Sequence, residues 1–249
     1  MNQSLMPVKA DTSSAVFPDL TPAADDTVAH APAARPRFAV LKRKQPASDP
    51  ALGSISATTM NFRNLHEHGT LLTKYMEARK TIFLDRLNWH VCETDGMEFD
   101  QYDTPACRWL ALHEFGEILG GVRLLPTTAK CGIYTYMLKD AKRGILEDLP
   151  TDVLFLEPPV DPTVWEATRF FITDRVPAAR RSAVQQKLFN SMATTAVEHG
   201  ATHILGIVPS VWSRWARRLN VGATPIGAKF LIGDTWSQSV LFNTNNTLP

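Results

Sequence analysis

Cysteine is scarce in this chain: Cys92, Cys107 and Cys131 are all it has in 249 residues. An odd number with no ligand-like spacing argues against a disulfide scaffold and a zinc site, and fits a reducing compartment. The seven histidines are scattered too. His66-Glu67-His68 holds the only close pair, and it has no partners to complete a ligand set, so no metal is expected. Long apolar runs are missing as well. No segment approaches the roughly 18 apolar residues of a membrane span. The opening Met1-Asn-Gln-Ser-Leu-Met-Pro7 lacks the basic start, apolar run and cleavage site of a secretory signal, so a cytoplasmic protein is expected. Neither standard glycine-rich phosphate loop occurs. No helix-turn-helix or aromatic-interleaved basic groove is present, so no nucleic acid is expected as a partner.

What is present divides unevenly. Residues 1–58 carry 7 of the 17 prolines, much Ala, Asp, Ser and Thr, and almost no periodic apolar pattern. Such a stretch buries too little apolar surface to offset the entropy of ordering it, and reads as a disordered extension. Residues 59–249 suit one compact domain. The net charge of +1 hides an asymmetry. From Arg169 onward there are nine Lys/Arg against three Asp/Glu, a net of +6, which leaves −5 for residues 1–168.

Residues 64–84 have helical spacing in Leu71/Leu72, Tyr75/Met76 and Phe83. Residues 108–113 and 117–125 read as a hairpin turning at Phe115-Gly116, and Gly120-Gly121 signals a bulge or a close backbone approach. A short helix fits near Tyr134–Leu138. Strand 165–173, helix 182–199 with Gly200 as its stop, and strand 203–208 form a strand–helix–strand unit with parallel strands. A further helix follows Ser210, and strands at 223–231 and 237–242 finish the chain. The order predicts an α/β fold: a three-layer mixed sheet with helices on both faces.

Glu93-Thr-Asp-Gly-Met-Glu-Phe-Asp-Gln-Tyr-Asp103 holds five carboxylates and no base. It follows Arg79-Lys-Thr-Ile-Phe-Leu-Asp-Arg-Leu-Asn-Trp89, where arginines alternate with aromatics. Both signs packed so closely suit a charged, partly apolar ligand; a solvated mixed surface is the plainer reading. The succession Arg79, Phe83, Trp89, Asp100, Asp103, Arg123, Glu166 and Arg169 resembles the acyl-homoserine-lactone synthases, the LuxI-type autoinducer synthases. The wording Asp85-Arg-Leu-Asn-Trp89, Val122-Arg-Leu-Leu-Pro-Thr-Thr128 and Glu166-Ala-Thr-Arg-Phe-Phe171 is similar to that family, and the likeness covers roughly residues 65 to 232.

The resemblance implies a fold related to the GNAT acyltransferases and a reaction between S-adenosylmethionine and an acyl thioester on acyl carrier protein or coenzyme A. The amine is acylated, and the carboxylate then displaces methylthioadenosine to close a lactone. S-adenosylmethionine is a substrate, so no cofactor is implied. Arg79, Phe83 and Trp89 then build its pocket, the two aromatics giving apolar and cation–π contact. Asp100, Asp103 and Arg123 form an electrostatic cluster in which the arginine is held bidentately between two acids. Glu166 is the general base, its pKa raised by partial burial. Arg169, three residues on, faces the opposite side of an ideal strand. Sharing the site with Glu166 requires a bulge; otherwise Arg169 braces the cluster from behind, which is the role assigned here.

The acyl tail is expected among the strands at 165–173 and 203–208, near Phe170 and Gly206. Gly206 aligns with a threonine of relatives that take 3-oxo chains, which points to a plain or differently substituted acyl group. Ala167 replaces a common serine. Arg175, Arg180, Arg181, Lys187, Arg214, Arg217 and Arg218 could attract an acidic carrier protein, and equally could be a solvated helix surface. Two alternatives stay open: an N-acyltransferase acting on another amine without lactonisation, and a non-catalytic S-adenosylmethionine-binding member.

Overall fold

In the computed structural model, which describes residues 53–212 and 222–244, alternating apolar residues build one large sheet with its two faces covered by different helices. The strands are β1 (Ile55–Met60), β2 (Glu93–Thr94), β3 (Met97–Glu98), β4 (Arg108–Glu114), β5 (Glu117–Pro126), β6 (Val164–Ile172), β7 (His203–Pro209), β8 (Ala223–Ile232) and β9 (Thr235–Asn243). The helices are α1 (Leu71–Lys80), α2 (Met137–Lys142) and α3 (Ala178–Glu198). The large sheet runs β1-β4-β5-β6-β7-β9-β8, with β2 and β3 in a separate small hairpin. Every neighbouring pair is antiparallel except β6 and β7, which are parallel because α3 carries the chain between them.

Period-two alternation sorts the core into two layers. Along β5, Val122 and Leu124 point to the α3 side with Leu110, Leu188, Met192 and Ile204. Leu125 points the other way, to a layer that holds Tyr75, Phe83, Trp109, Leu138 and Phe171 beneath α1 and α2. The strand is buried along nearly its whole length, as a central strand of a doubly covered sheet must be. A three-layer mixed α/β fold is what the element order predicts.

Several boundaries differ from the sequence reading. The expected helix at 64–84 is broken: a single tight turn at Leu65–Glu67 precedes Gly69, whose φ of +54° interrupts the helix before α1 begins. After Lys80 the helix widens into a π-type segment, Thr81–Arg86, which carries Phe83. Such widenings occur frequently at functional sites. The acidic stretch was expected to be all loop, yet Asp95-Gly96, with φ of +52° and +78°, makes the two-residue turn that joins β2 to β3. β1 crosses the domain boundary drawn at residue 58, so Ile55–Thr58 go with the sheet, paired to β4. The extension expected to be disordered, up to residue 52, lies outside the described residues, as does the helix expected beyond Trp212. Helix α3 begins four residues early, behind Pro177, and stops before Gly200 at φ +84° as expected. Gly121 meets Tyr75 so closely that a Cβ there would collide with the ring. Among the described residues no helix is long and apolar enough to cross a membrane.

Candidate active site

A bulge in β6 arranges the site. The pairing of β5 with β6 jumps from Gly121↔Phe171 to Arg123↔Thr168, so Val122 faces both Arg169 and Phe170. Arg169 takes a left-handed φ of +56°, unusual for a residue with a side chain. The extra residue turns Arg169 onto the face that carries Glu166, Thr168 and Phe171. Trp165, Ala167, Phe170 and Ile172 remain on the α3 face. The placement assigned to Arg169, behind the cluster on the opposite side of the strand, is corrected: Arg169 and Glu166 share a face because the strand is bulged between them, and Arg169 joins the acids from that face.

Three arginines and three acids then close a ring of alternating charge. Arg79, from α1, forks onto Asp103 with Nη1–Oδ1 at 2.8 Å and Nη2–Oδ2 at 3.0 Å, and its Nε donates to Glu98. Arg169 donates to Glu98 Oε1 at 3.0 Å and to Asp100 Oδ2 at 3.0 Å. Arg123 donates to Asp100 through Nη1, which also lies 3.1 Å from Asp103. Each acid touches two arginines and each arginine two acids. Trp109 Nε1 adds a bond to Asp103 at 2.8 Å. Burial alone would push the Asp103 carboxyl up, but Arg123 and Arg79 hold it well below the usual carboxylate range. Asp100 is lowered in the same way, by Arg123 and Arg169 against its burial.

Two details depart from expectation. The bidentate fork on the acids belongs to Arg79; Arg123 uses one nitrogen for both acids and its Nε for Thr168 Oγ1 at 3.0 Å. Arg79, expected in the pocket wall, is instead fully buried within the ring. Glu98 was not singled out, although it stands among the five acids of the 93–103 stretch; its two-residue spacing from Asp100 was the available signal.

Phe83 and Trp89 stack with centroids 4.9 Å apart and planes tilted by 32°. The cation over them is Arg169, 5.3 Å from the Phe83 centroid and 5.8 Å from that of Trp89. The indole N–H of Trp89 is buried and has no partner among the described residues.

Glu166 lies beyond the ring, 1% exposed. Its Oε2 accepts from Met137 N at 2.9 Å and its Oε1 from Leu138 N at 2.7 Å, the first two amides of α2. Burial pushes its pKa up to about 7, against the pull of those two amides and of Arg123. Raised basicity was expected; the amide pair was not, because α2 arises in a Pro- and Gly-rich stretch with weak helical periodicity. The pairing of β6 with β7 extends only from Val164↔His203 to Ala167↔Gly206, although both strands run on, so the sheet parts just past Glu166. Phe170 packs on the α3 side of this opening, away from Glu166. Gly206 pairs with Ala167 at its apex, where an added Cβ would sit 3.2 Å from the Ala167 carbonyl oxygen.

The described basic residues near α3 are engaged within the chain. Arg175 pairs with Glu117 at 2.7 Å, Arg180 with Glu114 at 3.1 Å and Arg181 with Asp174 at 3.6 Å, and Lys187 donates to the Ile55 carbonyl at 2.6 Å. Arg214, Arg217 and Arg218 lie outside the described residues. Among the described residues no group of His, Cys, Asp and Glu is arranged to hold a metal ion.

The architecture is that of solved acyl-homoserine-lactone synthases. The AHL synthase LasI matches with a TM-score of 0.64 over 78% of this chain and 92% of that one, at 21% identity. BjaI, a CoA-dependent acyl-homoserine lactone synthase solved with SAM and isopentyl-CoA, matches with a TM-score of 0.61 over 76% of this chain and 83% of that one, at 22% identity. In sequence, the acyl-homoserine-lactone synthase of Aliivibrio fischeri is 30% identical over 167 residues, 65% of this chain and 80% of the relative. The family profile described as autoinducer synthase matches residues 63–246. The chain belongs to the autoinducer synthase family, and its activity is that of an acyl-homoserine-lactone synthase.

Proposed function

We propose that Glu166 is the base with which this synthase acylates the amino group of S-adenosylmethionine from an acyl thioester. An α-ammonium with a pKa of roughly 8 is mostly charged at neutral pH and must lose a proton before it attacks. A buried carboxylate titrating at about 7 takes that proton directly or through one water. The freed nitrogen adds to the thioester carbonyl, and the tetrahedral intermediate collapses with the thiol as leaving group. Main-chain N–H groups facing the gap between β6 and β7 are the available donors for the oxyanion. The substrate's carboxylate oxygen then attacks the carbon next to the sulfonium, closing the lactone and releasing methylthioadenosine.

The ring of arginines and acids holds the 93–103 segment and Arg169 in place beside Phe83 and Trp89. Phe83, buried between Trp89 and Arg169, backs the half-buried Trp89, whose indole, with its unpartnered N–H, suits the adenine and sulfonium. The acyl tail passes through the sheet opening toward Phe170 and Gly206 on the α3 side. The donor is carried by acyl carrier protein or coenzyme A, and among the described basic residues near α3 Arg175, whose side chain is 69% exposed, is the one assigned to meet an acidic carrier.

The observation that carries this reading is a single buried carboxylate, fixed by two amides at the mouth of a parted sheet. Incubation with S-adenosylmethionine and an acyl thioester, read by mass spectrometry, tests it. N-acyl homoserine lactone and methylthioadenosine are expected in equal amounts. An N-acyl product without methylthioadenosine would contradict the lactonisation step and favour a simple acyltransferase.

A further inference from the structure

One buried acid on the active-site face belongs to neither the ring nor the proposed base. Asp140, in α2, is fully buried, and four donors converge on it. Thr135 N and Tyr102 Oη donate to its Oδ2 at 2.8 and 3.2 Å, and Thr135 Oγ1 and Arg143 Nη1 to its Oδ1 at 2.6 and 3.2 Å. Four donors on two oxygens is the environment of an ionised carboxylate. Two of those bonds clamp Thr135, so they fix the turn from which the Met137 and Leu138 amides reach Glu166. Tyr102 ties the same acid to the ring, its face lying 5.5 Å from the Arg123 guanidinium.

We propose that Asp140 is the positioning residue of the Glu166 base: it holds the α2 amides on the Glu166 carboxylate and sets a second negative charge behind it. The inference rests on the reading of Glu166 as the base. The charged and titratable groups around Glu166 are Arg123 from β5, Tyr102 from the segment before β4, Tyr136 at the start of α2, and Asp140 itself. Arg123 opposes proton uptake by Glu166, and Asp140 favours it. The geometry therefore divides two roles between two acids: Glu166 meets the substrate, and Asp140 keeps it basic and aimed.

The test is the pH dependence of kcat/KM for acylation in wild type, Asp140→Asn and Asp140→Ala, with S-adenosylmethionine affinity measured by calorimetry. Asp140→Asn keeps an acceptor oxygen and removes the charge. Its acid limb is expected to move down by about one pH unit, and its plateau to fall about threefold, because a weaker base transfers the proton less well. Asp140→Ala also frees Thr135 and is expected to lower kcat further with unchanged substrate affinity. An acid limb in Asp140→Asn that coincides with wild type overturns the proposal and leaves Asp140 a packing residue. Should Asp140→Asn fail to fold, Tyr102→Phe removes one donor from Asp140 and is expected to move the limb upward; an unmoved limb there is equally fatal. A wild-type profile with no acid limb, or one that survives Glu166→Gln, would instead sink the assignment of the base.

Discussion

The ionic ring and the Glu166 pocket lie on the same face of the same strands, and their acids are alike in burial, yet the acids are driven in opposite directions. Asp103 and Asp100 are held below the usual carboxylate range, while Glu166 rises to about 7. Burial cannot be the discriminating variable, since it pushes all three upward. The difference is the number of cations in contact: two arginines for each ring acid, and for Glu166 only two amides, with Arg123 further off. The ring serves as structure that stays charged. The pocket holds one group free to change its charge near neutral pH.

The sharpest way to break the comparison is to open the ring. Asp103→Ala leaves the Arg79 fork and the Trp109 N–H without their acceptor in a closed interior, while Arg123 Nη1 keeps only Asp100. Urea unfolding should show a loss of about 3–5 kcal/mol, the usual result of orphaning one side of a buried pair. A loss below about 1 kcal/mol would mean that the ring is loose enough to admit water.

A second, smaller effect separates the regions by pH. Asp100 and Asp103 are depressed, so their contribution is present above the ordinary carboxylate range and is lost as pH falls toward their folded values. Glu166 is raised, so its contribution is complete below about 4.5 and is lost as pH rises through about 7. Stability should therefore decline between those values by at most about 3 kcal/mol, and the decline should vanish in Glu166→Gln. A decline that persists in the variant would assign it to another group.

The smallest effect is expected at the surface. Arg175 pairs with Glu117 where both side chains are largely in solvent. Arg175→Ala should change stability by less than about 1 kcal/mol, in contrast to Asp103→Ala. If Arg175 meets an acidic carrier protein, the same variant raises KM for a carrier-bound donor and leaves kcat alone, an effect that fades with salt.

Much of the frame was legible because it rests on local pattern. Strands β4 to β7 and helix α3 follow from alternation and helical spacing, and Gly200 and Phe115-Gly116 mark their ends. Spacing showed only that Glu166 and Arg169 need an extra residue to share a strand face, and the sequence reading placed Arg169 behind the cluster instead; the bulge itself is visible only in the pairing of β5 with β6. What stayed hidden depends on contacts far apart in sequence. β1 reads as a Ser- and Thr-rich tail until β4 supplies its partner. Arg123 does lie between Asp100 and Asp103 as expected, but the fork on Asp103 comes from Arg79, because a forked arginine on a helix and one on a strand are equivalent in sequence. Asp140 and the two α2 amides sit in a stretch of weak periodicity, and only the fold places them against Glu166. Phe170 and Gly206 were assigned to the acyl path by strand membership, which does not say on which side of the sheet each residue lies.

The most direct measurement is single-turnover acylation by Glu166→Gln at saturating S-adenosylmethionine, with binding of that substrate followed calorimetrically. An amide in place of the carboxylate leaves one of the two α2 N–H groups without its acceptor, so some stability is lost, but the folded variant should keep its affinity and slow acyl transfer about 10²–10⁴-fold. Acyl transfer at the wild-type rate by a variant that binds normally would contradict the account at its centre, because the buried acid raised toward neutral pH would then have no part in moving the proton.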